Sequence, residues 1–206
     1  MKKYILIAIA FLSCGLTATS AQDADGMMAA LIRTIEDKGI SCEAIVSTGN
    51  GDEGNRARLI MKGEKWFLQT HEVAVWFDGK TEWSGIVEDD RIIEVMIQER
   101  SVEEQMSDNP FLLIRHHEGF TVSATDSKTL VLTAKDRKNG AYEGILKVVV
   151  TLGNDGHPTL ISMRQKDMRD SDITMKIVRY DTGTTRESDF TFPKDKWPDA
   201  EIIDLR

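Results

Sequence analysis

Between Ala44 and Phe192 the chain runs in short stretches of alternating apolar and polar residues, nearly all separated by a turn signal. Period-two alternation gives each stretch one wet and one apolar side. Phe120, Val122 and Ala124 share a face, as do Leu146, Val148, Val150 and Leu152, and Ile173, Met175 and Ile177. Lys62-Gly63-Glu64, Asp78-Gly79, Asn139-Gly140 and Asn154-Asp155-Gly156 mark turns between strands. About eleven short strands with antiparallel neighbours follow, and a long sheet with one apolar face must close on itself or be covered. The expected fold is therefore α+β, mainly β.

The covers are few. Met28, Leu31, Ile32 and Ile35 recur on a helical period, predicting a helix over Met27–Lys38 with Asp25 as cap and Gly39 as stop. Ser101-Val102-Glu103-Glu104 is a capping box, and Asn109-Pro110 opens a second short helix through Phe111, Leu112, Leu113 and Ile114. These segments carry Met27, Met28 and Met106, flexible side chains that suit an irregular apolar partner.

The chain has 206 residues, 41% of them hydrophobic and 29% charged, which fits one globular domain. Its formal charge of −8 opposes binding to nucleic acid or to anionic lipid headgroups. Lys2 and Lys3 followed by the apolar run Tyr4 to Leu12 and the small residues up to Ala21 read as an export signal. Residues 1–21 are expected to be cleaved, leaving 22–206 as a single domain. Phe11-Leu12-Ser13-Cys14 is a loose lipobox, but the apolar and small residues continue past it, which favours a soluble exported product. Cys42 then has no disulfide partner, and beside Ile40 and Ala44 it reads as a small buried hydrophobe.

The sequence carries no catalytic constellation: the nucleophile-elbow, phosphate-loop, zinc-protease and paired-cysteine motifs do not occur. His116 and His117 are adjacent, a poor metal pair, and no zinc site or other cofactor is expected. Asp167, Asp170 and Asp172 near Arg164 read as a charged hairpin tip. The chain is not expected to be an enzyme. Trp66, Trp76 and Trp83 lie on three consecutive predicted strands, where they either line a cavity, stack on a sugar or pack as core.

Phe77-Asp78-Gly79-Lys80-Thr81-Glu82-Trp83, Asn109-Pro110-Phe111-Leu112-Leu113-Ile114, Leu130-Val131-Leu132-Thr133 and Phe190-Thr191-Phe192 occur in that order. Together they resemble the LolA family, periplasmic carriers of bacterial outer-membrane lipoproteins. The ending Lys194-Asp195-Lys196-Trp197-Pro198 and Glu201-Ile202-Ile203-Asp204 is similar to Bacteroidetes-type members. The resemblance implies an incompletely closed antiparallel barrel with a helical lid and an acyl-chain cavity. With the apolar faces above, it places Met28, Leu31, Trp66, Trp76, Trp83, Met106, Phe111, Leu112, Ile114, Phe120, Val122, Leu132, Val148 and Met175 around cavity and lid. It implies a monomer in the periplasm with acylated lipoproteins as cargo. An inner-membrane ABC transporter would be the donor and an unidentified outer-membrane component the acceptor. Where the family has an arginine-proline pair that latches the lid, this chain has Gly63 and Glu64, so lid closure is expected to rest on apolar contacts or on Arg58 instead. The alternative is a periplasmic protein of the same fold that binds or senses a hydrophobic ligand or glycan without transporting it.

Overall fold

The computed structural model describes residues 18–49, 53–106, 108–142, 144–166 and 172–206. The charged and apolar parts of the export signal, Cys14, Asn50-Gly51-Asp52, Asp167 and Asp170 lie outside the described residues. Helix α1 (Ala18–Arg33) continues into a π-helical turn, Thr34–Lys38, which stops at Gly39 with φ of 70°. The stop is where the sequence puts it, because glycine takes that φ without a Cβ clash. The start is earlier than expected: Asp25 lies inside α1 and is not its cap.

Six strands follow: β1 (Ile40–Thr48), β2 (Asn55–Lys62), β3 (Lys65–Gln69), β4 (Val73–Phe77), β5 (Thr81–Glu88) and β6 (Arg91–Glu99). A 3₁₀ turn at Glu103–Gln105 and helix α2 (Pro110–Arg115) interrupt them. The second run is β7 (Phe120–Asp126), β8 (Thr129–Ala134), β9 (Ile145–Leu152), β10 (Pro158–Gln165) and β11 (Ile173–Thr182), and β12 (Glu201–Asp204) ends it. All lie in one sheet of order β12-β6-β5-β4-β3-β2-β1-β11-β10-β9-β8-β7, whose outer strands do not pair with each other. The result is mainly β, an open antiparallel barrel with a helical lid, as the resemblance implies.

Turn chemistry sets the registers. Asp78 Oδ1 accepts from the backbone N–H of Lys80 and Thr81, at 3.0 and 2.8 Å, and closes the β4–β5 hairpin so that Trp76 faces Trp83. Between β9 and β10, Lys147 pairs Arg164 while Ile145 pairs Gln165, which leaves Leu146 as the extra residue of a bulge. The bulge moves Leu146 out of the apolar face expected of it and puts Ile145, wholly buried, in the core instead.

Two elements depart from expectation at the C-terminus. The alternation of Phe190 and Phe192 with polar neighbours predicts a last strand over Ser188–Phe192, but Glu187–Phe190 is a 3₁₀ turn whose Asp189 carboxylate accepts the Arg186 N–H. β12 is a twelfth strand, and it runs parallel to β6. A short segment with β-branched Ile202 and Ile203 can pair with an open edge in either direction.

The apolar side chains divide into two bodies. The larger lies between the sheet and the two helices and includes Met28, Leu31, Met61, Trp66, Phe77, Phe111 and Leu132. The smaller lies on the other face, where Phe190 and Phe192 cover Phe67, Trp76 and Val95, with Trp83 and Trp197 packed against them.

Candidate functional site

Helix α2 is the lid. Asn109, itself fully buried, caps it by accepting the Phe111 N–H at 3.0 Å, and its amide nitrogen lies 3.7 Å from Met61 Sδ on β2. Pro110 occupies the first helical position, where no N–H is needed. Phe111, Leu112, Leu113 and Ile114 are all inaccessible to solvent, because this six-residue helix is embedded on every side. The preceding turn carries the expected capping box: Glu104 accepts from Ser101 N–H at 2.7 Å. Buried Gln105 has neither end of its amide hydrogen-bonded, and Trp66 Nε1 is likewise without a partner among the described residues.

The other end of the lid is tied ionically. Arg115 Nη1 donates to Glu64 Oε1 at 3.0 Å, and Nε lies 3.4 Å from Glu36 Oε1. One guanidinium thus joins α2, the β2–β3 turn and the π-helical turn after α1. Arg58 does not serve: it alternates with Ala57 and Leu59 on β2, is exposed, and lies beside Ile60 on the face opposite the lid. Glu64 is thus the β2–β3 turn's partner in the clasp, and the arginine comes from the lid.

Beside the Asp108–Pro110 end of the lid opens an apolar cleft with a cavity volume of about 330 Å³. That is near the lower end of the roughly 300–1,000 Å³ typical of ligand pockets. Its walls are Val46, Ala57, Leu68, Ile161, Met163, Ile173 and Met175, the lid-side faces of β1, β2, β3, β10 and β11. Thr48, Asn55, Thr70, His71, Glu72 and Asp108 supply its polar lining.

Of the residues expected to line a cavity, Met175 lines this cleft. Met28, Leu31, Trp66, Met106, Phe111, Leu112, Ile114, Phe120, Leu132 and Val148 are brought together, with Val122 at their edge, as the packed interior below the helices. Trp76 and Trp83 are corrections. They pair across β4 and β5 on the opposite face, with centroids of Trp76 and Phe192 5.3 Å apart, because Trp66 and Trp76 fall on opposite phases of the alternation. The cleft wall from β1, β2 and β10 was missed, although Ala57, Leu59 and Met61 show the alternation that would have indicated it.

Cys42 is buried, and that burial pushes its thiol up to about 12, so it behaves as the small hydrophobe expected. Arg164 and Asp172, the described members of the charged cluster read from the sequence, form a 2.7 Å ion pair. Among the described residues no group of His, Cys, Asp or Glu is arranged to hold a metal, and no helix is long and apolar enough to cross a membrane.

No protein-family model matches the chain, and no curated protein matches it. Solved structures of similar shape include an uncharacterized conserved protein from Thermus thermophilus. It is 12% identical, with 87% of this chain and 98% of that one covered, at a TM-score of 0.49. A LolA superfamily protein from Nitrosomonas europaea is 13% identical over 82% of this chain and 97% of that one, at a TM-score of 0.44. A chain of the Pseudomonas aeruginosa MucA/MucB complex is 12% identical over 82% of this chain and 60% of that one, at a TM-score of 0.38.

Proposed function

We propose that this protein is a periplasmic carrier that shields acyl chains, those of lipoproteins, while they cross water between two membranes. The observation that carries the reading is the lidded apolar cleft, open at the Pro110 end of α2 and continuous in its wall residues with the sheet's larger apolar face. Each CH₂ withdrawn from water is worth about 0.8 kcal/mol, so a chain of a dozen carbons gains enough to hold without covalent chemistry. The role is binding, not catalysis. The described cleft suits one chain; taking more requires α2 to lift, because Phe111 to Ile114 fill the space beneath it. A lid that opens is also what lets cargo go to an acceptor that binds it more tightly. Transfer from an inner-membrane ABC transporter to an outer-membrane acceptor is the sequence of partners such a carrier needs.

Native mass spectrometry of protein purified from its own envelope without detergent tests this. A co-purifying mass that releases acyl chains on alkaline hydrolysis is expected. Ala57→Phe, which puts a ring into the cleft from a wall position that is 6% exposed, should abolish that mass without unfolding the sheet. An empty wild-type protein that also fails to take up an added acylated lipoprotein would overturn the proposal.

A further inference from the structure

Two cavities meet at one place in the sheet. β2 pairs with β3 only from Arg58 onward, so Asn55, Arg56 and Ala57 run past the end of β3 with β1 as their one strand neighbour among the described residues. Asn55 and Ala57, with Thr70 and His71 across the notch, line the apolar cleft on the lid side. The same four residues line a second groove, of about 460 Å³, which runs over β2 and β1 to the exposed Val178 of β11. Cleft and groove therefore abut at the β2 overhang. Their chemistry differs. The groove carries Arg56 and Arg58 against one carboxylate, Glu43. Both arginines are exposed, and neither has an ion-pair or side-chain hydrogen-bond partner among the described residues. Arg179, beyond Glu43 in the same register, is by contrast paired with Asp181 at 2.7 Å. In a chain with 34 acidic residues against 26 lysines and arginines, two neighbouring arginines without a carboxylate are free to take one from outside.

We infer that this groove holds the polypeptide that follows the acylated residue of the cargo, in an extended conformation and with acidic side chains at alternate positions. With the acyl chain in the cleft, the peptide passes the Thr70–His71 notch and runs along β2. Side chains two residues apart on a strand stand about 7 Å apart. Arg56 and Arg58 have that spacing, which matches alternate residues of an extended peptide better than it matches a single phosphate or carboxylate head. The edge of β2 that β3 leaves uncovered offers such a peptide main-chain partners as well. Both arginines are solvated, so each contact gains little and acts through direct, two-pronged hydrogen bonds rather than through a field. The inference rests on the acyl-binding reading above and adds to it a class of cargo: acylated proteins that are acidic just after the acylated residue.

Lipopeptides with one dodecanoyl chain on an N-terminal cysteine test this, the residues after the cysteine alternating serine with glutamate, glutamine or lysine. Each is titrated below its micelle concentration into the full protein at low salt, with displacement of the neutral dye Nile red as readout. Dodecyl phosphate and dodecyl maltoside are titrated beside them. The glutamate peptide is expected to bind about fivefold more tightly than the glutamine peptide, and the lysine peptide more weakly than either, with the gaps closing as salt rises. Arg56→Gln with Arg58→Gln should bring the glutamate peptide level with the glutamine one, and binding of dodecyl maltoside checks that this variant is folded. Arg137→Gln with Lys138→Gln, the same change in net charge at exposed positions outside the groove, should leave the gap intact. Equal affinity of the glutamate and glutamine peptides, or a gap that survives loss of Arg56 and Arg58, overturns the inference and leaves the acyl cavity standing. Dodecyl phosphate held as tightly as the glutamate peptide, with the same dependence on both arginines, makes the groove a headgroup site and overturns it too. Failure of every probe, the maltoside included, overturns both readings.

Discussion

Cys42 on β1 sits 1% exposed between β2 and β11, opposite Leu59 and Tyr180. Burial penalises its thiolate, and burial likewise pushes the Tyr180 hydroxyl up. The linkage has a definite sign. Both groups hold their protons in the folded protein to higher pH than in the unfolded chain, so the unfolded state binds fewer protons once the thiol begins to ionise near pH 9. Their contribution to stability should be constant below that pH and fall as pH rises toward about 12, where the folded thiol titrates. Chemical denaturation across that range should show a decline that is shallower by one proton in Cys42→Ala, a substitution that leaves Tyr180 to account for the rest. A thiol reagent should react with Cys42 only on unfolding. Rapid labelling of the native protein would contradict its burial.

At the scale of the element, α2 is held in two ways. Its N-terminal end is fixed by the Asn109 cap and by burial, and Asn109→Ala should cost about 1 kcal/mol of stability, measured by denaturant unfolding. Its C-terminal end is held by Arg115, whose partners Glu64 and Glu36 are 42% and 46% exposed. Half-exposed ion pairs are worth little, about 0.2–1 kcal/mol, so Glu64→Ala or Glu36→Ala should scarcely move the global melting temperature. Local opening is a different quantity. The double variant should raise amide exchange at His116, whose N–H bonds Leu112 carbonyl at 2.8 Å, severalfold over wild type. Unchanged exchange there would show that apolar contacts alone close the lid.

Over the whole molecule, each face of the sheet is covered in part, by segments from opposite ends of the chain. The N-terminal helix packs on β7 and β8 with α2 beside it, while residues 187–200 lie across β3 and β4 on the other face. Closing the second face uses Phe190, 1% exposed, as its central plug. Phe190→Ala should therefore destabilise by about 3–5 kcal/mol, the range for truncating a buried phenylalanine, and should shift the emission of the Trp76–Trp83–Trp197 group toward that of solvated indole. Val178→Ser, at a position 64% exposed on β11, should stay within about 0.5 kcal/mol of wild type. An effect at Val178 as large as that at Phe190 would mean that the outer face is also covered in solution.

Local chemistry was legible in the sequence wherever a residue's own backbone decided the outcome. Asp78-Gly79 made its hairpin, Gly39 ended the first helix, Ser101 and Glu104 closed their box, and Asn109-Pro110 opened the lid, because each depends on groups within about four residues. Alternation likewise assigned most inward positions, from Met175 to Leu132. What it could not assign was the face on which a whole strand's aromatic should end. Trp66 and Trp76 read alike, yet pairing register places one beneath the lid and the other beneath the C-terminal segment. The bulge at Leu146, the parallel docking of β12 and the exchange of Arg58 for Arg115 in the clasp are of the same kind. Each is settled by a partner distant in the chain, through pairing and packing energies that no local pattern contains.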